Sequence, residues 1–447
     1  MFAIKNIAVS AMMAGAMVIL GLNSAQAALP IQHWTQANGV AVYLVESPSV
    51  PMVDVQVDFD AGSRRDPAAQ AGLASVTAGM TAKGVRAMGS EPALDENALG
   101  EAWADLGAVF SASASSDRMS FTLRSLTYPD LLARAVALAA RQLAEPTFPQ
   151  DVWLRERERL GASIREANTR PATVAARAFS QGVYGTHPYG YEMTEETLAR
   201  ISVADMQTLQ ARAVRPCAAK VSIVGAVTRA QAETLVTQLL ARLPAGGCEA
   251  QPAVGEVAAL TQAGEQHIPF DSAQAHVLIG QPGYKRADPD FFPLLVGNYI
   301  LGGGGFVSRL TTEVREKRGL SYSVYSYFAP ALHAGAYTVG LQTRPDQAAQ
   351  AVQVAREVVR KFVAEGPTEA ELKAAKDNLI GGFALRIDSN RKLLDNVANI
   401  AWNKLPLDYL DTWTQQVARV TVADIKAAFA RKLQPERMVT VVVGGKP

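Results

Sequence analysis

An internal repeat constrains the fold of this chain more than any other feature of its sequence. The segment VADMQTLQARAVRP at residues 203–216 precedes a strand-like run that ends at Gly225, and VADIKAAFARKLQP at residues 422–435 precedes one that ends at Gly444. Both pairs of equivalent positions are 219 residues apart. A helix–strand unit that recurs at a fixed spacing indicates a duplicated structure. The chain is therefore predicted to contain two α+β halves of about 200 residues each.

The spacing of apolar residues supports this α+β prediction in both halves. Alternating or apolar runs predict strands at 39–45, 53–59 and 275–280, whereas helical spacing is found at 68–83, 129–143 and 149–168. Residues 245–266 are rich in Ala, Gly, Glu and Gln, a composition typical of a linker. We therefore predict an N-terminal domain at 28–244, a linker at 245–266 and a C-terminal domain at 267–447.

The first 27 residues have the pattern of a secretory signal peptide. Lys5 precedes an apolar run from Ile7 to Leu22, and Ala25 and Ala27 form a small-x-small cleavage site. An uncleaved membrane anchor is the alternative, but the run is short for a bilayer span and lacks strongly charged flanks. No Cys follows the run, which argues against a lipoprotein. We expect cleavage after Ala27 and export of the mature chain.

The charge balance excludes several classes of partner. Removal of residues 1–27 leaves 42 of the 43 lysine and arginine residues against 42 aspartate and glutamate residues. A neutral chain without a long basic run does not indicate binding to nucleic acid or to anionic membranes. No other apolar stretch is long enough to span a bilayer, so no membrane span is expected after signal cleavage.

The stretch Leu301–Ser326 is the most informative about function. It contains the glycine run Gly302, Gly303, Gly304 and Gly305, then a predicted helix at 308–318 and an alternating strand from residue 320. Glycines without Cβ atoms allow another backbone or a peptide to approach closely. A phosphate-binding loop is disfavoured, because no Lys-Ser/Thr follows the glycines.

Arg315 on that helix and Tyr322 on that strand are expected to lie close together, because Gly319 provides a left-handed turn between them. A guanidinium beside a phenol is a donor pair suited to a peptide carbonyl or a developing oxyanion. The alternative is that Arg315 is a solvated helix charge and Tyr322 a core aromatic residue.

This stretch closely resembles the second-half signature of the pitrilysin/insulinase zinc metallopeptidases, in which an Arg and a Tyr seven residues apart bind substrate. The resemblance extends over nearly the whole mature chain. It implies sandwich-like halves, each with a mixed, mostly antiparallel sheet covered by helices, joined as a clamshell around a substrate chamber.

The same resemblance exposes a missing zinc site. Active members carry His-x-x-Glu-His on the first helix of the first half, where two His bind zinc and the Glu acts as a base on the metal-bound water. Here Ser75 and Gly79 occupy the His positions and Ala78 the Glu position, within GLASVTAGM at residues 72–80. The third ligand, counted from Glu156, falls on Ser163.

Nothing else in the sequence replaces these ligands. The five histidines are never paired at i,i+3 or i,i+4; they are His33, His187, His267, His276 and His333. His187 lies in an HPYG motif that the family also has, but a turn or packing role is the simpler interpretation, and Glu156 and Glu166 are more simply surface carboxylates. Nucleophile-elbow, Walker and dinucleotide-binding motifs are absent. We expect no cofactor on this chain.

The resemblance then favours a non-catalytic, substrate-binding subunit of a periplasmic heteromeric peptidase. A paralogous partner would supply the zinc ligands and the base, Arg315 and Tyr322 would reach the scissile carbonyl of a peptide substrate, and the glycine run would line the chamber. Extended peptide would add to a sheet edge. The alternative is an enzyme-derived binding or assembly scaffold without a catalytic contribution. An independent peptidase with new chemistry has no residue to support it.

The two cysteines, Cys217 and Cys248, are predicted to form a disulfide. Cys217 precedes a strand and Cys248 follows the helix that returns antiparallel to it, so the two ends should meet. Export to an oxidising compartment favours the bond, and two unpaired thiols are the alternative. A loop of this length would stabilise the fold by roughly 3 kcal/mol.

Overall fold

A computed structural model describes residues 30–248 and 250–445. The predicted signal peptide lies outside these residues. The strands are β1 Gln32–Thr35, β2 Ala41–Glu46, β3 Met52–Phe59, β4 Gly84–Val85, β5 Leu94–Asp95, β6 Val109–Ala114, β7 Met119–Leu126, β8 Lys220–Gly225, β9 Gly264–Ile268, β10 Ala275–Pro282, β11 Ser323–Phe328, β12 Ala336–Thr343 and β13 Val439–Val443. The α-helices are α1 Leu73–Met80, α2 Glu96–Asp105, α3 Pro129–Ala144, α4 Gln150–Asn168, α5 Pro171–Tyr184, α6 Glu195–Ala199, α7 Val203–Ala213, α8 Arg229–Leu240, α9 Phe291–Asn298, α10 Ala348–Glu365, α11 Glu369–Gly381, α12 Asn390–Asn403, α13 Tyr409–Arg419 and α14 Val422–Lys432.

Two large mixed sheets organise the chain. The first has the strand order β1-β2-β8-β3-β7-β6 and the second the order β11-β12-β10-β13-β9. Only the β2–β8 and β13–β9 pairs are parallel in these two sheets. Apart from β1, the two orders are the same when one is read in reverse, with β9, β13, β10, β12 and β11 equivalent to β2, β8, β3, β7 and β6. The predicted α+β duplication is confirmed.

The repeat extends to individual backbone angles. The helices α7 and α14 each begin with a capping box, formed by Ser202 with Asp205 and by Thr421 with Asp424. Gly225 and Gly444 end the following strands with φ of 152° and 143°. A Cβ on Gly225 would lie 2.3 Å from the carbonyl oxygen of Met52, so close backbone packing requires glycine there.

The two halves exchange one helix each. Helix α5, from the first half, packs against β10 and β13 of the second sheet, whereas α12, from the second half, packs against β8 and β3 of the first sheet. The first residues of these helices, 171 and 390, are separated by the repeat offset of 219. Each sheet therefore has one face covered by a helix from the opposite half. Hinged opening between the halves would require both helices to leave these sheets.

The seam under α5 is apolar. Ala175, Phe179 and Val183 of α5 form a buried cluster with Val439, Val441 and Val443 of β13. A Cβ on Gly280 of β10 would lie 2.8 Å from the Phe179 ring. The absence of a side chain at this glycine thus allows the aromatic ring to lie flat against the sheet.

The seam under α12 combines apolar packing of Val45 and Val224 against this helix with polar contacts. The Lys220 ammonium donates to the carbonyl oxygen of Trp402 at 3.1 Å, and the Arg118 guanidinium donates to that of Ala398 at 3.2 Å. Both cations also lie over the Trp402 ring, and Arg118 pairs with the buried Asp58 at 2.9 Å. Cations at the last turn of a helix interact favourably with its free carbonyls. These contacts fix the C-terminal end of α12 on the first sheet.

The segment predicted as a linker is held at several points. The Arg65 guanidinium donates to the carbonyl oxygen of Pro252, and Glu256 pairs with Lys285 at 2.6 Å. Its last three residues, 264–266, belong to β9, so the second half begins earlier than the sequence indicated. Cys217 and Cys248 are joined in a disulfide that ties the start of this segment to the turn before β8.

Several predicted elements differ from the observed ones. The helix predicted at 68–83 begins only at Leu73, because Gly72 has φ of 103° and the buried Asp66 carboxylate accepts from the N–H groups of Gly72 and Ala74. Helices α5 and α13 were not predicted. Among the described residues, no helix combines the length and hydrophobicity needed to cross a membrane.

The helix exchange predicts coupled unfolding of the two halves. Replacement of Phe179 with Ala should lower the free energy of unfolding by about 3–5 kcal/mol, as expected for a buried aromatic residue. The loss should appear in both sheets, although Phe179 belongs to the first half. Hydrogen exchange of β3 and β10 amides across a urea series measures it, with the exposed Leu154→Ala as control. The prediction would be contradicted if the two sheets unfolded in separate transitions and F179A shifted only one of them.

Candidate functional site

Arg315 and Tyr322 lie side by side on the surface of the second half. Arg315 is on a π-helical turn, Thr311–Glu316, and Tyr322 directly precedes β11. Gly319, with φ of 61°, makes the predicted left-handed turn between them. The guanidinium carbon is 5.1 Å from the centre of the Tyr322 ring. Tyr322 is 81% exposed, so the alternative that it is a core aromatic does not hold.

A second aromatic residue completes this arrangement. The Arg315 guanidinium carbon is 4.7 Å from the centre of the Phe306 ring, which is 69% exposed, and the neighbouring Val307 is 78% exposed. We call Phe306, Arg315 and Tyr322 the aromatic–arginine stack. Sequence analysis missed Phe306; its only signal was an apolar pair directly after four glycines.

The Arg315 guanidinium keeps its hydrogen-bonding capacity. Among the described residues, its side chain contacts the two rings and pairs with no carboxylate; the nearby Glu313 instead pairs with Lys317 and Arg318. A guanidinium has five N–H donors in a planar fork. The stack can therefore offer donors to a carbonyl or a carboxylate of another molecule, with the phenol of Tyr322 beside them.

An ion pair anchors the segment that carries Arg315. Arg309, at the start of this segment, donates to both carboxylate oxygens of Glu371 on α11 at 2.7 Å and lies over the Phe362 ring. The same carboxylate accepts from the N–H and hydroxyl of Thr368. Burial alone would raise the pKa of Glu371, but the hydrogen bonds from Arg309 and Thr368 lower it to about 2.

The glycine run is closely approached by another backbone, as the sequence allowed, and that backbone belongs to this chain. Gly302 and Gly303 belong to a π-helical turn, Tyr299–Gly303, that continues α9. A Cβ on Gly302 would lie 2.5 Å from the backbone nitrogen of Ser326 in β11. Asn298 also donates to the carbonyl oxygen of Ser326 at 3.0 Å, so this turn covers the outer edge of β11.

Gly304 and Gly305 have different roles in this run. A Cβ on Gly304 would lie 2.7 Å from the carbonyl oxygen of Tyr299, whereas one on Gly305 would meet nothing within 4 Å. Glycine is favoured at position 305 because the backbone there has φ of 63°, in the left-handed region. Gly305 also begins the turn that carries Phe306. Most of the run thus serves the packing of this chain on itself.

The positions of the lost zinc motif offer no metal site. Ser75 and Gly79 are exposed on α1, Ala78 is buried, and Ser163 is exposed on α4. Helix α1 packs mainly on α7 and β6, whereas α4 packs on α6 and α5. Within residues 30–248 and 250–445, no three His, Cys, Asp or Glu side chains are grouped so that they could hold a metal ion.

Two histidines that are far apart in the sequence do meet in space. The rings of His187 and His333 have centres 5.3 Å apart. His187 is buried; its Nδ1 accepts from the N–H of Tyr189, and its Nε2 is 3.0 Å from the carbonyl oxygen of Gly255. Both nitrogens are thus used in packing the linker against the halves, consistent with the turn role expected for the HPYG motif.

The anchor of the Arg315 segment predicts a specific pH dependence. The pKa of the Glu371 carboxyl is about 2 in the folded chain and normally 4.5, so its stabilising contribution is complete above pH 4.5 and is lost as the pH falls towards 2. Glu371→Gln should lower the free energy of unfolding by about 1–2 kcal/mol at pH 7. Urea denaturation at pH 7, 4.5 and 3 measures the difference, which should shrink with the pH.

A matched control is available on the same helix. Asp377→Asn removes an exposed carboxylate of α11 that pairs only with Lys373. It should change stability by less than about 0.5 kcal/mol. A loss for E371Q that equals the loss for D377N, or that does not vary with pH, would contradict the assigned role of Glu371.

Comparison with known proteins identifies the family. Residues 41–197 match the family description "Insulinase (Peptidase family M16)", and residues 200–379 match "Peptidase M16 inactive domain". The "Non-peptidase homolog YmxG" of Helicobacter pylori is 25% identical, with 96% of each chain covered.

Two solved structures show the same fold. The peptidase M16 inactive domain from Pseudomonas fluorescens is 33% identical, with a TM-score of 0.87 over 94% of this chain and 98% of that one. The periplasmic protease PqqL from Escherichia coli is 19% identical, with a TM-score of 0.78 over 93% of this chain and 46% of that one. Together with the resemblance of the glycine run, Arg315 and Tyr322 to the second-half signature, these matches show that the chain belongs to the M16 (insulinase) peptidase family, with its zinc motif replaced.

Proposed function

We propose that this chain is the substrate-binding, non-catalytic subunit of a two-chain zinc peptidase. A paralogous partner with an intact His-x-x-Glu-His motif supplies the zinc and the general base. This chain supplies Arg315 and Tyr322, which donate hydrogen bonds to the scissile carbonyl of a peptide. The single observation that carries the proposal is the exposed aromatic–arginine stack, whose guanidinium keeps its donors while the metal ligands are absent from the sequence.

The exposure of the stack supports a role towards another molecule. Tyr322, Phe306 and Val307 are all more than two-thirds exposed. Large apolar side chains grouped at one surface commonly mark an interaction site. Arginine and tyrosine are also the residue types most enriched where binding energy concentrates. A core or solvated role for the pair would leave this grouping unexplained.

An open sheet edge supports the expected mode of peptide binding. Strand β6 is at the edge of the first sheet and pairs only with β7. Exposed side chains alternate with less exposed ones from Val109 to Ala114, and Phe110 is buried. An extended peptide could add to this edge through backbone hydrogen bonds, which hold varied sequences. The edge of β11, in contrast, is covered by the glycine run.

The length of one structural neighbour supports pairing of two such units. This chain matches 46% of PqqL, so one chain with that fold is about twice as long as the present unit. A second unit supplied as a separate chain would complete an assembly of the same size. We place this assembly in the periplasm, because the chain has a predicted signal peptide and PqqL is described as periplasmic.

A binding or assembly scaffold is the second candidate. The exposed apolar pair Phe306 and Val307 would serve equally well to dock a protein without any catalytic contribution. The two candidates predict different roles for Arg315 and Tyr322. In a scaffold these residues affect binding of the partner, whereas in a substrate-binding subunit they affect the chemical step and therefore turnover.

The chain alone is predicted to bind no stoichiometric zinc. Ser75, Ala78, Gly79 and Ser163 provide none of the His, Cys, Asp or Glu side chains that bind zinc in proteins. Elemental analysis of the mature chain, purified without chelators, should find far less than one zinc per chain, and no peptide should be cleaved. One bound zinc per chain would contradict the proposal.

The aromatic–arginine stack provides the test of function. In the complex with the zinc-motif partner, Arg315→Ala and Tyr322→Phe should each lower kcat on the order of 10²- to 10³-fold, as loss of one oxyanion donor does. The double variant should lose less than the product of the single losses, because both residues act on one oxygen. Steady-state kinetics with a fluorogenic peptide measure these effects.

Two controls separate catalysis from folding and assembly. Arg360→Ala removes an exposed arginine of α10 that pairs with Glu436 and should leave kcat unchanged. Co-purification of each variant with the partner shows whether the complex still forms. Unchanged kcat in the double variant, in an intact complex, would reject the catalytic contribution and favour the scaffold.

A further inference from the structure

A large cavity lies in the second half, behind the glycine run. Its volume is about 810 Å³, which is within the range of small-molecule and peptide side-chain sites. It is lined by aromatic residues of α9, β11 and α13, by Gly302 and Gly303, and by two arginines, Arg286 and Arg386. Arg315 and Tyr322 do not line it. The cavity is therefore distinct from the aromatic–arginine stack.

Arg286 is a buried cation directed into this cavity. It is only 7% exposed. Its guanidinium lies 3.9 Å from the centre of the Phe291 ring, and one Nη donates to the Tyr409 hydroxyl at 2.7 Å. The other guanidinium donors have no hydrogen-bond partner among the described residues. These donors are not fully enclosed by protein, so they are open to the cavity and can donate to a ligand there.

Arg386 brings a second cation to the same cavity. Its guanidinium carbon lies 5.5 Å from the centre of the Trp413 ring, and Trp413 stacks on Phe383 with ring centres 4.8 Å apart. Burial raises the pKa of the Tyr409 phenol, whereas the positive charges of Arg286 and Arg386 act to lower it. Both arginines and this phenol line the same cavity.

Neither cation is neutralised by a carboxylate of the described chain. The acidic residues that follow Arg286 are engaged elsewhere: Asp288 pairs with Lys432, and Asp290 pairs with Arg431 at 2.6 Å. No ion pair of the described residues includes Arg286 or Arg386. Since buried charges are normally paired, the unpaired, buried Arg286 indicates that the counter-charge comes from a ligand, and the exposed Arg386 lines the same cavity.

We propose that this cavity binds a peptide carboxylate, either the C-terminal carboxylate or an acidic side chain, between Arg286 and Arg386. Planar guanidinium forks match a carboxylate through two parallel hydrogen bonds. The aromatic walls accommodate the apolar part of the same residue. The two arginines are the evidence that the ligand is a carboxylate. That this carboxylate belongs to a peptide rests on the proposed function. The cavity would select acidic or C-terminal segments, independently of the scissile bond.

The test uses the mature chain alone. Isothermal titration at 0.1 M salt compares three acetylated tetrapeptides that end in Phe: one with a free C-terminal carboxylate, one amidated, and one amidated with an internal Glu. We expect binding by the first or the third and at least tenfold weaker binding by the second. Arg386→Gln should weaken binding of the carboxylate peptide about tenfold, as loss of a charged hydrogen bond does. Arg386 is exposed, so this variant should fold.

Matched controls make the outcome decisive. Arg391→Gln removes a nearby exposed arginine of α12 that pairs with Asp395 and does not line the cavity; it should leave binding unchanged. Arg286→Lys, which keeps the charge but loses the fork, should also weaken binding. Failure of both carboxylate peptides to bind, equal binding of the amidated peptide, or displacement of the peptide by inorganic phosphate at equal concentration would overturn the proposal.

This experiment is independent of the peptidase assay. It needs no partner chain, and it uses variants that lie outside the aromatic–arginine stack. Loss of carboxylate binding with retained dependence of kcat on Arg315 would reject the cavity proposal alone. Carboxylate binding with unchanged kcat in the Arg315→Ala, Tyr322→Phe variant would reject the catalytic proposal alone.

Discussion

The reciprocal exchange of α5 and α12 is the constraint on which the rest of this structure depends. Each sheet has a face that is covered only when the opposite half is folded. Burial of apolar surface is the main favourable term in folding, so neither half can reach its full stability alone. The two seams achieve this cover in different ways. Helix α5 packs through apolar residues such as Phe179, whereas α12 adds cations that bind carbonyl groups near its C-terminal end.

The exchange of α5 and α12 determines where motion can occur. Because α5 and α12 cross between the halves, the aromatic–arginine stack is carried on a body that includes both sheets. Opening and closing around a substrate would then take place between this chain and a second one. The anchoring of the Arg315 segment through Arg309 and Glu371 is consistent with a donor group held in a fixed position, as electrostatic catalysis requires.

Much of the fold could be predicted from the sequence, because the repeat offset and the periodicity are local signals. The duplication and the α+β class followed from equivalent positions such as Gly225 and Gly444. The same offset, applied backwards from residue 390 at the start of α12, would have indicated α5 at residue 171, a helix that was not predicted. The exchange itself could not be predicted, because an apolar helix face can pack on either sheet.

The candidate site was predictable in part. The proximity of Arg315 and Tyr322 followed from the turn at Gly319. Phe306 was missed, because a single exposed aromatic residue after glycines has no periodic pattern. The true role of Gly302 depends on its contact with Ser326, 24 positions away, and the cavity between Arg286 and Arg386 depends on tertiary packing. Neither kind of contact is visible in a local stretch of sequence.

The position of α5 also affects when the chain can complete its folding during synthesis. Its covering strand β13 ends about 260 residues after α5, so at 5–20 residues per second synthesis takes on the order of 10 to 50 s to supply it. During that interval the apolar face of α5, with Phe179 and Val183, lacks its contacts with β13. A chain of this design remains incompletely folded until β13 has been made, a state that would suit the export expected from the predicted signal peptide.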